Sequence, residues 1–578
     1  MGARVRLAAV LLAVATTVAG SSLALAHEVR PHGRFDLPMP GFAPPTTRLH
    51  NGSPESAGLD PDPIREADAA LAEWANPSTG RPLFAGAVSL LAHDGVVVDR
   101  QAVGGALRYA DGDGTELPAA EQVPMRVDTI FDVASVSKLF TSLAVMCLVE
   151  DGKIAVDERA VRYLPEFGVN GKESVTVRQL LTHTSGLEPF IPLWRDWPDK
   201  AARVKAVMDR TPVTRPGTAY TYSDLNLITL GVLVERISGK PLDQFVADRV
   251  TGPLGLVDTG YNPPAAKLSR IAATEYQVAP PRGMVHGQVH DENAWSLGGV
   301  AGHAGVFSTA ADLAVLGQAI LNGGSYAGKR VLRPDTVQKM LTNYNAAFPG
   351  NAHGLGFELD QRWYMGGLGG PRTAGHTGFT GTSLVLDPSS RSIAILLTNR
   401  VHPSRGWGSI NAARETLATA LARALAVPPR HGRALWYAAP GNDTTATLTT
   451  PPLPGTRPLR ISFDAFVDTD GGDQFVMEAS ADGGPWQSVP VRARGVGAPM
   501  GEVTALSGSR HRSWWTVNTI APVADKITLR WRFSTDSRYT GRGISIDGIV
   551  VTDGSRTLLN GEKEPHLIRP LGWRLRTR

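Results

Sequence analysis

The sequence predicts a mixed α/β (α+β) domain, an antiparallel sheet flanked by helices, followed by a smaller all-β sandwich. Strand-like stretches stand at both ends of residues 56–425 with helical sequence between them, so the first and last elements share a sheet and the middle supplies helices. A break rich in Pro and Ala follows, with Pro428, Pro429 and the run Ala438-Ala439-Pro440-Gly441. Beyond it apolar residues alternate with polar ones, as at Ile527, Leu529, Trp531 and Phe533, with Gly-rich acidic turns between the runs.

In chain order, residues 27–55 are rich in Pro and Gly and read as an irregular lead-in, with folding from Ser56. A helix is expected over 61–74. A hairpin follows over 85–91 and 96–103, turning at His93-Asp94-Gly95. The apolar stretch through Leu139, Leu143, Met146 and Leu148 reads as a buried helix that stops at Asp151-Gly152. Residues up to about 345 are mostly helix and loop. Two further strands are expected at 375–387 and 392–398, then an Ala-rich helix over 411–425. A linker spans 426–455, the β-sandwich 456–555 and a basic tail 556–578.

At 578 residues and 42% hydrophobic content the chain can build two cores. Arg4 and Arg6 precede an apolar run over 7–18 and the small-residue site Ala24-Leu25-Ala26, the three parts of a secretory signal peptide. Residues 1–26 are therefore expected to be cleaved near Ala26, giving a secreted protein with no integral membrane segment. Cys147, the single cysteine, excludes an internal disulfide and sits inside the apolar helix as a small core residue. The net charge of +4 mixes 58 basic with 54 acidic residues, which does not indicate a nucleic-acid partner.

The chemistry centres on Ser135-Val136-Ser137-Lys138. A serine hydroxyl needs a neighbouring base, and an i, i+3 spacing on a helix brings Lys138 to Ser135. Alone the tetrad is unspecific. Tyr222-Ser223-Asp224 and His376-Thr377-Gly378 follow in order, and with them the chain resembles the serine β-lactamase and penicillin-binding-protein superfamily. The branch is that of class C β-lactamases, DD-carboxypeptidases and related esterases. Segments 180–187, with His183, and 302–309 resemble it too, and the likeness covers about residues 56–425.

The resemblance implies a β-lactamase/transpeptidase-like fold. It also implies roles: Ser135 as acylated nucleophile, Lys138 as its partner, and Tyr222 as tyrosinate or as a relay with Lys138. The oxyanion hole would be the backbone N–H groups of Ser135 and Phe379, the latter on the strand that opens with His376. Asp224, His376, Thr377 and Gly378 would bind substrate, with no cofactor and no metal. Asp224 stands where related β-lactamases usually carry Asn, which removes an amide donor. His376 stands where many members carry Lys, a change shared by DD-carboxypeptidases and esterases, and an uncharged imidazole binds anions weakly. Phe379 makes that end of the site apolar.

His286, His290, Asp291 and Glu292 cluster closely, yet a Ser-Lys-Tyr mechanism needs no metal, so they read as a loop lining the cleft. His183 reads as shaping a loop. The C-terminal strands, with Gly541-Arg542-Gly543-Ile544, resemble jelly-roll modules of secreted bacterial hydrolases. Trp486, Trp514, Trp515 or Trp531 could stack on a glycan or cell-wall surface, although such residues are more often core. The leading expectation is a Ser135 acyl-enzyme hydrolase acting as a D-alanyl-D-alanine carboxypeptidase on peptidoglycan-type peptides, or as an esterase on small esters. A class C-like β-lactamase and a catalytically silent cell-surface binding protein are the alternatives.

Overall fold

A computed structural model describes residues 33–538, 541–554 and 556–577. The expected signal peptide lies outside the described residues. Among the described residues no helix is long and apolar enough to cross a membrane.

The N-terminal domain is built on an eight-stranded sheet. Its order runs His50–Asn51, Val96–Leu107, Gly86–His93, Ser392–Thr398, Thr382–Asp387, Ala374–Gly378, Glu358–Leu359, with Val123–Pro124 paired to Val96–Leu107 off this path. Only the His50–Asn51 pairing is parallel. Gly86–His93, Thr382–Asp387 and Ser392–Thr398 are buried along their whole length because helices cover both faces. On one side lies the Ser137–Glu150 helix, buried from Ser137 to Leu148, packed against Asp224–Ser238. On the other, Asp62–Ala75 packs against Asn411–Ala424. Burial pushes the Cys147 thiol up to about 12, so this lone cysteine is an inert core side chain.

The stretch 375–387, expected as one strand, is two. Ala374–Gly378 and Thr382–Asp387 pair antiparallel across a tight turn closed by the Gly381 N–H donating to the Gly378 carbonyl at 3.0 Å. Gly381 has φ +107°, which a side chain would resist, and a Cβ there would lie 2.0 Å from the Thr398 hydroxyl oxygen. Phe379 therefore sits on a turn at the strand's end.

The C-terminal domain is a β-sandwich of a seven-stranded and a six-stranded antiparallel sheet among the described residues. Side chains of both sheets close one core, where Phe463 meets Trp531 edge-on at 5.8 Å. Its limits differ from those expected. Leu435–Ala438 and Thr445–Thr449, inside the expected linker, are strands of the two sheets. So are Arg569–Leu571 and Arg574–Arg576 of the expected tail, and Trp573 between them is 6% exposed. These strands are three to five residues long, too short for a period-2 signal, and their pairing partners lie far away in sequence.

Part of the expected lead-in is core as well. The Phe35 ring is buried between the Arg512 and Arg542 guanidiniums, 4.2 and 5.3 Å from its centroid. These arginines join the two domains. Arg512 pairs with buried Asp387 at 2.8 Å and donates to the Leu368 carbonyl at 3.0 Å. Arg542 donates to the carbonyls of Ala422 and Leu425, at 3.1 and 2.6 Å, which caps the end of the Asn411–Ala424 helix. Trp515 and Trp531 follow the core reading and are buried; Trp514 is half-buried against Phe466, and Trp486 is half-buried at the surface, where Arg530 covers its ring at 4.1 Å.

Candidate active site

Ser135 sits on a sharp turn between the Phe131–Asp132 strand and the Ser137–Glu150 helix. Ala134 just before it holds φ +47°, a strained value for a residue with a side chain. Asp132 holds the turn, its Oδ1 accepting the Ala134 N–H at 2.8 Å and its Oδ2 the His290 N–H at 2.6 Å. Ser135 and Lys138 are separated by a tight 3₁₀ turn that runs into the helix, which aligns residues three apart.

Lys138 Nζ lies 2.7 Å from Ser135 Oγ, 2.8 Å from Asp224 Oδ1 and 3.2 Å from the His303 carbonyl, with the Tyr222 ring 4.8 Å away. The side chain is 1% exposed. Burial disfavours its charge, but Asp224 and then Tyr222 outweigh that and raise its pKa above the ordinary lysine value, so Lys138 rests as an ammonium. Burial likewise raises the Tyr222 phenol to about 12 against the opposing pull of Lys138. Of the two forms the resemblance implies for Tyr222, the relay with Lys138 rather than the tyrosinate fits this resting state, because burial outweighs the one neighbouring cation.

His183 organises the next motif. Its Nδ1 accepts the Ser223 N–H at 3.0 Å, its carbonyl accepts the Thr221 N–H at 2.9 Å, and its ring lies against Tyr222 with centroids 4.6 Å apart. The Gly378 strand end is sewn to the Ser135 turn by Thr380 and Thr382, whose hydroxyls donate to the Asp132 and Val133 carbonyls at 2.7 and 3.0 Å. A Cβ on Gly378 would lie 2.3 Å from the Val133 carbonyl oxygen, so only glycine permits this approach.

These elements enclose a cavity of about 570 Å³ whose walls include Ser135, Tyr222, Thr377, Gly378 and Phe379. Lys138, Asp224 and His376 are not among its wall residues. Expected as a substrate contact, Asp224 turns instead to Lys138, the nearest buried cation. His376 is 1% exposed, its Nδ1 donates to the Thr377 carbonyl at 2.8 Å, and burial, helped by Lys138, lowers its pKa to about 3. It is uncharged at neutral pH and cannot attract an anion there. Phe379 is 51% exposed at the rim, stacked on His290 at 5.7 Å under the guanidiniums of Arg400 and Arg405.

The loop of His286 to Glu292 sends its ligand-type side chains to separate partners. His286 meets the Ile271 carbonyl at 2.8 Å, His290 meets Glu275 at 3.0 Å, Asp291 meets His303 at 3.0 Å, and Glu292 pairs with Arg405. Asp224, Asp291 and His303 do bring ligand atoms within 4.8 Å of one another. The Lys138 ammonium already contacts Asp224 and would repel a metal ion placed there.

Sequence reasoning missed Glu358, Arg400 and Arg414, which also line the cavity. Arg414 carried one signal: a cation in the first turn of the Asn411–Ala424 helix opposes the helix dipole, so its place asks for another reason. Glu358 gave none, since its strand is two residues long. Burial lifts the Glu358 carboxyl from 4.5 to about 7. The folded state therefore holds this proton more tightly than the unfolded chain, and the stability so gained is lost as pH rises from 4.5 through 7. Glu358→Gln removes that dependence. The variant is expected to gain about 2 kcal/mol on the parent between pH 5 and 8.5, read from urea midpoints at both values. An equal difference at the two pH values would contradict the assignment.

The Beta-lactamase family profile matches residues 77–418, more than half of the chain. The chain belongs to the Beta-lactamase family of serine hydrolases. Among curated relatives, a "Putative D-alanyl-D-alanine carboxypeptidase" of Escherichia coli (strain K12) is 34% identical over 392 residues, covering 61% of this chain and 86% of that one. One of the same name from Salmonella agona (strain SL483) is 32% identical over 401 residues, covering 63% and 89%. Among solved structures, a penicillin-binding-protein homolog from Caulobacter crescentus aligns with a TM-score of 0.48 at 23% identity, over 62% of this chain and 98% of that one. A family VIII carboxylesterase aligns with a TM-score of 0.47 at 23% identity, over 63% and 97%.

Proposed function

We propose that this protein is an exported hydrolase that acts through an acyl-enzyme on Ser135, cleaving D-alanyl-D-alanine-type peptides, with small esters as a second substrate class. The observation that carries the reading is the 2.7 Å contact of Ser135 Oγ with Lys138 Nζ, with Ser135 in the wall of the cavity. Lys138 rests as an ammonium and Tyr222 as a phenol, so the reactive form is the one in which Lys138 has released a proton to solvent. Neutral Lys138 then takes the proton of Ser135 as Oγ attacks the substrate carbonyl, and Asp224 stabilises the ammonium that forms. As the tetrahedral intermediate collapses, Tyr222 protonates the departing amine or alcohol and is reprotonated by Lys138, which is left neutral for the next step. Water then cleaves the Ser135 ester by the same route.

The relatives' name supports the peptide substrate. Arg400 supports it too, because it lines the cavity and offers a terminal carboxylate the cation that His376 does not. The exposed Phe379 ring favours the ester reading. Release of D-alanine from a diacetyl-lysyl-D-alanyl-D-alanine peptide, set beside hydrolysis of a neutral short-chain ester, tests the order. D-Alanine release that falls with Arg400→Ala while ester turnover holds supports the peptidase; ester turnover with no D-alanine released overturns it. Export is tested by the N-terminus of the protein recovered outside the cytoplasm, expected near His27.

Asp224→Asn tests the proton route. Removing the carboxylate takes away the largest influence holding Lys138 charged, so its pKa falls. We expect the rise of kcat/KM with pH to come at lower pH than in the parent, because Lys138 becomes neutral more readily, and to reach a lower plateau, because the ammonium formed in the reaction has lost its counter-ion. A variant whose pH profile matches the parent's would rule Asp224 out. The finer reading of the sandwich, contact with a cell-wall glycan, cannot rest on the tryptophans. It moves to an open groove of about 620 Å³ between Arg460, Arg492, Glu502 and Asn518. Loss of sedimentation with purified peptidoglycan in an Arg460→Ala/Arg492→Ala double variant supports it, and unchanged sedimentation ends it.

A further inference from the structure

We infer that Arg414 strengthens the oxyanion hole from behind, by polarising the Gly378–Phe379 peptide whose N–H faces the reacting carbonyl. The inference rests on the Ser135 acyl-enzyme reading. Arg414 Nη2 donates to the Gly378 carbonyl at 2.7 Å and to the Thr382 carbonyl at 3.0 Å, and the residue is 7% exposed. The Gly378 carbonyl and the Phe379 N–H belong to one peptide group. A charged donor on the carbonyl draws electron density from the amide and leaves its N–H a stronger donor, an effect enlarged in a buried, low-dielectric setting.

The geometry fixes this contact. Arg414 Nη1 donates to Asn411 Oδ1 at 3.1 Å and the guanidinium lies 6.0 Å from the Trp363 ring centroid. Gly378 and Thr382 are the terminal pair of their hairpin, so one nitrogen closes the open end of the turn that carries Phe379. Burial lowers Arg414 only to about 10, so it stays a cation at neutral pH. Its position in a helix's first turn, costly to the helix itself, has a reason in this contact.

The test is the carbonyl stretch of the Ser135 acyl-enzyme, formed with a slowly released penicillin and read by difference infrared spectroscopy. It is paired with kcat and KM on a neutral ester. In Arg414→Met we expect the stretch to move to higher wavenumber and kcat to fall about tenfold, with KM within about twofold. Arg414→Lys should lie between that variant and the parent. Should Arg414→Met fail to fold, Arg414→Gln, which keeps a donor without the charge, must show the shift. A normal stretch with a raised KM would make Arg414 a direct substrate contact and overturn the inference, as would a normal stretch with unchanged kinetics. If the parent forms no acyl-enzyme at all, the Ser135 reading falls and takes the inference with it.

Discussion

Replacing Lys138 by methionine is expected to lower kcat/KM by about 10³- to 10⁴-fold, near the upper end of what a positioned proton-transfer group contributes. Methionine fills the same volume but removes three donor contacts at once, to Ser135, Asp224 and the His303 carbonyl. It also strands Asp224, whose side chain is only 19% exposed, beside an apolar surface. Breaking one side of such a pair costs about 3 kcal/mol. Lys138→Met/Asp224→Asn separates the two effects: the double variant should regain most of the lost stability in urea titrations and none of the lost rate. Activity that returns with stability would show that Lys138 is structural.

The second large effect lies away from the cavity. Arg512→Ala is expected to lose about 3 kcal/mol of stability, because it leaves Asp387, 0% exposed, without its counter-ion. The loss stays at the low end of the range for a broken buried pair because Asp387 keeps hydrogen bonds from the Ser389 N–H and the Ser390 hydroxyl. Asp387→Asn in the same chain should restore part of it. Arg512 comes from the sandwich and Asp387 from the sheet, so the pair also couples the two domains. Together with Arg542 on the end of the Asn411–Ala424 helix and Arg423 on the Gly541 carbonyl at 2.8 Å, it predicts one unfolding transition for the intact protein. Two well-separated calorimetric transitions, with the sandwich melting first and activity intact, would contradict that coupling.

That coupling was invisible in the sequence, and the reason is physical. Motifs at Ser135, Tyr222 and His376 are local strings, and each folds into a local device: a strained turn, a loop pinned by His183, a strand end that only glycine fits. The long apolar Ser137–Glu150 helix and the alternating Lys526–Ser534 strand were equally legible, because run length and alternation can be read from the local string. The strand break at Phe379 to Gly381 was not, since a three-residue turn inside a run of β-formers leaves the hydrophobic pattern almost unchanged. The strands Leu435–Ala438, Thr445–Thr449 and Arg569–Leu571 pair with partners more than 80 residues away. Asp224 was legible as a departure from its relatives, but its turn toward Lys138 depends on how two helices pack. Arg414 depends on the same kind of distant packing, with its carbonyl partners on another element.

The most direct test of the account is the intact mass of the protein after reaction with a fluorescent penicillin, followed by peptide mapping, with Ser135→Ala in parallel. The account predicts one adduct per chain, mapped to the peptide that holds Ser135 and absent from the variant. A label on another residue, or one that survives in Ser135→Ala, would contradict it.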